Sequence, residues 1–241
     1  MRLLLAMLLT GAAFGQTAKS FDVASVKPSD CRQGADVRLY PGGRLHITCQ
    51  SVNIILRQAY NLEHYQISGG PPWLGTDHFD IEAKAEGDPS KEEMWAMLRA
   101  LLADRFQLKV RMETKEESIY ALVAMKDGPK LQPPTGERSY ISLMRYDPPT
   151  EPGIHYALVG KKASLALIAQ HIGQQMGRPV IDRSGIQGEF DFKVDYAIDD
   201  NPESGAPLMT AIQRELGLKL ESTKGSMQSL VVEHAEKPTA N

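Results

Sequence analysis

Two cysteines and a sparse set of aromatic and ionisable side chains are the places in this sequence where chemistry could reside. Cys31 and Cys49 are the only cysteines, separated by a Gly-containing stretch. In an exported chain such a pair reads as a disulfide, worth about 3 kcal/mol in the chain-entropy account. The alternative is a metal site using Cys31, His46 and Cys49, since His46 and Cys49 are three apart, but a fourth ligand at suitable spacing is missing. The expectation is therefore a bridge and no metal. A second cluster lies downstream, where Tyr65 and Trp73 precede Asp77, His78 and Asp80. Tyr65, Trp73 and His78 could form a small-ligand pocket, with Trp73 stacking on the ligand and His78 moving a proton. The plainer account is that Trp73 plugs the end of a sheet, Phe79 enters the core and the polar neighbours face water by strand alternation.

Other constellations are missing from the sequence. HExxH, GxSxG, Ser-x-x-Lys and a phosphate loop ending in Lys-Ser or Lys-Thr are absent. The six histidines are scattered, and no two stand three or four apart as a helical ligand pair would. Acidic pairs such as Glu92-Glu93, Glu116-Glu117 and Asp199-Asp200 sit at expected helix starts and loop tips, where they solvate a turn or favour a helix N-terminus. No catalytic residues and no cofactor are expected.

The elements that must position these residues come from an internal duplication. Ser51 to Tyr60 carries Val52, Ile55, Leu56 and Ala59, and Ser164 to Ile172 repeats the spacing with Leu165, Ile168, Ala169 and Ile172. Each begins at a serine suited to an N-cap. Short strands follow near Tyr65 to Ile67 and Pro179 to Ile181. Phe79 to Ala85 (FDIEAKA) matches Phe190 to Tyr196 (FDFKVDY), both alternating as half-buried strands. Leu98, Leu101, Leu102, Phe106, Leu108, Lys109 and Val110 align without a gap to Leu208, Ala211, Ile212, Leu216, Leu218, Lys219 and Leu220. Each copy is expected to close with a second strand after a hairpin, at Ile119 to Met125 and Leu230 to His234.

The fold expected is α+β, a tandem duplication of a small sheet covered by two helices. The domains read as an N-terminal strand and loop at 16–44, a first repeat at 45–127, a Pro-rich linker at 128–153 and a second repeat at 154–238. Phe21 to Lys27 should add a strand to one of the sheets. Residues 1–15, with Arg2, the apolar run LLLAMLL and Ala13-Phe14-Gly15, read as a removable secretory signal. The run is too short to span a bilayer, so no stable membrane insertion is expected after cleavage, and the location is periplasmic or secreted. With 27 Lys plus Arg against 30 Asp plus Glu the net charge is −3. No nucleic-acid footprint is present.

FDVASVKPS, GGRL, GGPPWL, FDIEAKA, LLADRFQLKV, GLKLES and VVEHAEKP together resemble a family of secreted proteins from soil bacteria, chiefly acidobacteria. That resemblance covers the mature chain and implies a domain of unknown function, sometimes attached to antibiotic-sensing membrane metallopeptidases. At the level of one copy, RPVIDRSGIQGEFDFKVDY with PLMTAIQRELGLKLES and SLVVEHA resembles the short N-terminal domain of secretins and TonB-dependent receptors. This implies small sheets paired with two helices and a role in periplasmic protein contacts, although no barrel or secretin segment is expected to follow here. The leading expectation is an exported, non-catalytic module that binds an envelope or extracellular protein. A sensor of cell-wall fragments or antibiotics is the alternative, and a hydrolase with an unrecognised site is the third.

Overall fold

The computed structural model describes residues 20–146, 153–198 and 206–238, and the segment read as a signal lies outside them. The chain is α+β and divides into two compact units. The first comprises residues up to 61, 69–110 and those from 232 onward; the second comprises 62–68 and 111–231. Among the described residues no helix is long and apolar enough to cross a membrane.

The first unit is built on a sheet of β1 (Val23–Pro28), β2 (Asp36–Tyr40), β3 (Arg44–Ser51) and β5 (His78–Lys84). Its strand order is β1-β5-β3-β2, and all of its pairs are antiparallel. The FDVASVK segment thus joins this sheet, along β5. Alternation puts Leu45, Ile47, Phe79, Ile81 and Ala83 inside. Helices α1 (Val52–Tyr60), α2 (Trp73–Thr76) and α3 (Lys91–Arg105) belong to the same unit, with α1 packed on α3. Val52, Ile55, Leu56 and Ala59 form the buried stripe of α1. A Ser90/Glu93 capping box starts α3. Burying roughly one such aliphatic side chain is worth about 1.5–3 kcal/mol, so these stripes rather than helix propensity fix the layer.

The second unit contains a three-stranded sheet in the order β10-β8-β7, from β7 (Tyr140–Tyr146), β8 (His155–Ser164) and β10 (Glu189–Ala197). Its helices are α4 (Leu165–Met176) and α5 (Leu208–Ala211), the latter continued by a π-helical turn at Ile212–Leu216. Leu158, Ile168, Ile172, Val194, Ile212 and Leu216 are the centre of its core. Ser51 and Ser164 both occupy N-cap positions, but only the Ser164 hydroxyl accepts a helix N–H, from Leu167 at 3.3 Å.

A further sheet has the order β4-β11-β6-β9, from β4 (Ile67–Gly69), β6 (Lys109–Ala124), β9 (Val180–Asp182) and β11 (Leu218–His234). Apart from the one-turn helix α2 and the 3₁₀ turn at His64–Gln66, which only the first copy has, the order β-α-β-β-α-β occurs twice, at 44–124 and at 155–234. In this sheet the short strand of each copy lies beside the long strand of the other. β9 is parallel to β6, with Tyr120, Ala121 and Leu122 opposite Val180, Ile181 and Asp182. Exchange the two copies, and the order β4-β11-β6-β9 reads the same from its other end.

Three features differ from the sequence expectation. β6 and β11 are single long strands, without the anticipated hairpins. Their polar middles contain no proline, and Gly225 serves close packing: a Cβ there would come within 2.2 Å of the Ile119 side chain. Part of the Pro-rich stretch is strand β7, because YISLMRY lies between the proline clusters and is rich in strand-forming residues. The likeness of the copies also begins earlier than their sequence match. β2 and β7 occupy the same place in the orders β5-β3-β2 and β10-β8-β7. Lys27 pairs with Asp80 as Gln132 bridges to Asp191.

Candidate functional site

The FD dipeptides at 79–80 and 190–191 stand opposite matching irregularities of the backbone. On β3, Thr48 and Cys49 together face the single residue Asp80 of β5. On β8, Lys161 and Lys162 together face Asp191 of β10. Both are β-bulges, and Cys49 (φ 49°) and Lys162 (φ 47°) are left-handed, which is unfavourable for side chains other than glycine. In each bulge the aspartate supplies the missing acceptor. Asp80 Oδ1 takes the Cys49 N–H at 2.8 Å, and Asp191 Oδ1 takes the Lys162 N–H at 2.9 Å.

From there the bulges diverge. Cys49 is joined to Cys31 by a disulfide, as the cysteine pair implies. His78 lies next to it: one His78 ring nitrogen and the two sulfurs lie within 4.8 Å of one another. His46, the histidine singled out by spacing, sits on an exposed position of β3 before the bulge, its ring 5.2 Å edge-on from Tyr40. Asp191 instead holds ions and hydroxyls. Its Oδ2 accepts from Lys161 Nζ at 2.8 Å, from the Thr135 hydroxyl at 2.5 Å and from the Thr135 N–H at 3.1 Å. These partners, Lys161 foremost, hold the Asp191 carboxyl far below the usual range.

The three residues read as a ligand pocket are distributed over both units, Trp73 and His78 in the first and Tyr65 in the second. Trp73 stacks on Phe106 at 6.2 Å and meets the edge of Phe79 at 6.3 Å, and Lys237 Nζ stands 6.0 Å over its ring. Lys237 also pairs with Asp77 at 2.7 Å and lowers that carboxyl. Trp73 is thus engaged on the protein's own side chains.

Tyr65 lines an open groove of about 370 Å³ with Glu113, Lys115, Arg178, Met227 and Ser229. The 3₁₀ turn His64–Gln66 that carries Tyr65 is anchored by Glu63, whose carboxylate accepts from Gln170 at 3.0 Å and Gln174 at 2.8 Å on α4. Burial, reinforced by Glu63, pushes the Tyr65 phenol up to about 12, so it is a hydrogen-bond donor at neutral pH. Glu113 is held ionised by Lys115 and Arg111. Arg178 lies over the Tyr120 ring at 5.4 Å. The groove can orient a polar ligand through one phenol and fixed charges of both signs. Sequence reasoning reached Tyr65 but missed Arg178 and Glu113, which stand far from it in sequence.

No curated protein and no solved structure matches the chain. A family model described as a protein of unknown function, DUF3738, matches residues 53–235. That span includes the first copy from Asn53 onward, the second copy and both FD strands, and the chain belongs to the DUF3738 family of proteins of unknown function.

Proposed function

We propose that this chain is an exported, non-catalytic module that binds an envelope or extracellular protein by strand addition at β7. The observation that carries the reading is the contrast between two end strands in equivalent places. On β2 (DVRLY), Asp36 and Arg38 form an ion pair that blunts the edge. On β7 (YISLMRY), the charge is confined to Arg145, and Tyr140, Leu143 and Met144 are 48%, 39% and 50% exposed. An apolar edge strand is a template for an added strand, with backbone hydrogen bonds for affinity and alternate side chains for specificity. The disulfide and the signal-like start fit an oxidising compartment.

The test is a photo-crosslinking residue at position 144, irradiated in cells that export the protein. One recurrent envelope partner, lost when Leu143→Lys and Ser142→Lys charge the edge without changing the circular dichroism, is the expected result. Crosslinking no stronger than from the solvent-facing turn at Lys126 overturns the proposal.

A second reading rests on the Tyr65 groove, as a site for a polar solute such as a cell-wall fragment. Calorimetric titration with muropeptides checks it: saturable heat that Tyr65→Phe removes supports a sensor, and a flat titration dismisses it.

A further inference from the structure

We infer that Cys31, Cys49 and His78 make up a metal site that becomes available when the disulfide is reduced, taking zinc or cuprous copper through two thiolates and one imidazole nitrogen. The donor set is the one such ions prefer, since soft thiolates and imidazole select zinc and copper over hard cations. The spacing fits as well. Zn–S bonds of about 2.3 Å and Zn–N bonds of about 2.0 Å place tetrahedral donors roughly 3.5–3.8 Å apart; the His78 nitrogen already lies within 4.8 Å of both sulfurs, and the sulfurs, bonded to each other in the oxidised chain, must part on reduction.

Two of the three ligands are held from behind. The backbone of Cys49 is fixed in the bulge by the Asp80 carboxylate at 2.8 Å. His78 is paired with Ser51 at the start of β5, and its carbonyl accepts the Ser29 N–H at 2.8 Å. That bond also ties the chain entering Cys31 to His78, while Cys31 itself lies in the loop between β1 and β2. A loop cysteine can turn its sulfur away by the small distance that separates a bonded pair from two ligands of one ion. The fourth position is left to water or an incoming group.

The chemistry balances with a dithiol as reductant. It delivers two electrons and two protons to the Cys31–Cys49 bond and is itself oxidised to a disulfide; the two thiols formed then lose their protons as the ion binds. The oxidised chain is closed to metal at this place and the reduced chain is open to it.

Cobalt(II) is the probe, added to the full-length mature chain after reduction, with zinc competition giving the affinity. One cobalt per chain with a thiolate-to-cobalt charge-transfer band is expected, absent from the oxidised protein and from Cys31→Ser/Cys49→Ser. His78→Gln should weaken zinc by more than the roughly 10- to 100-fold that loss of an outer partner costs. A reduced protein without the band overturns the inference, whether circular dichroism shows it folded or unfolded. So does a His78→Gln protein that binds zinc as tightly as the parent.

Discussion

The two bulges solve one backbone problem with different chemistry. Each places a non-glycine residue in the left-handed region and returns its N–H to an aspartate from an FD dipeptide. At Cys49 the surroundings are covalent, with Cys31 locking the bulge to the loop after β1. At Lys162 they are ionic, with Lys161 and Thr135 converging on an Asp191 that is only 4% exposed. The comparison teaches that the backbone geometry is the shared element and the clamp around it is replaceable. A further exchange sits one residue before each bulge. Ile47 faces Ile81 in the first sheet, and Gly160 faces Phe192 in the second, a swap of two medium side chains for one small and one large.

Breaking the covalent clamp should have the largest effect. Cys31→Ser with Cys49→Ser is expected to cost about 3 kcal/mol of stability, the loop-closure value, measured by urea unfolding of the oxidised parent and the variant. Next comes the volume exchange. A Cβ on Gly160 would stand 1.9 Å from the Phe192 ring, so Gly160→Ile should cost about 2–3 kcal/mol, and Phe192→Ile beside it should restore most of that loss. A double variant no better than the single one would show that the two sheets are not interchangeable at this pair.

Smaller differences separate the aspartates. Asp191→Ala strips acceptors from Lys162, Thr135 and Lys161 together, and its melting temperature should fall by roughly 5 °C or more. Asp80→Ala loses the Cys49 contact while the disulfide remains, so a drop of about 2 °C is expected in the same calorimetric scan. Acid should act on the second bulge. The Asp191 carboxyl is lowered in the folded state, so its contribution is complete above the unfolded value near 4 and is lost as pH falls through the folded value. Hydrogen exchange between pH 5 and 2 should show protection around Lys162 declining in the parent and already reduced in Asp191→Asn.

Much of the fold was legible because it follows from local periodicity. The apolar spacing of 52–60 and 165–172 located α1 and α4, and the FD alternation located β5 and β10. What escaped was set by pairing between distant segments. β7 was obscured by the prolines around it, although the intervening seven residues contain none. The correspondence of Lys27 with Gln132 was hidden because the spacing between the copies there is shorter than the 110–113 residues that align the helices and later strands. His78 escaped as the neighbour of the cysteines because it is 29 positions from Cys49, and only the register of β3 on β5 brings it there. Spacing favoured His46 instead, which alternation directs to the exposed face.

By itself the sequence determined the α+β class, the two repeated helices α1 and α4 and the two FD strands, because these depend on composition and on periods of two and 3.6 residues along a single segment. Tertiary structure alone decided that β4 lies beside β11 and β9 beside β6, that two aspartates complete two bulges, and that Tyr65 shares a groove with Arg178 and Glu113. Those outcomes depend on which strands satisfy one another's hydrogen bonds across a hundred residues, and local propensity carries no information about that choice.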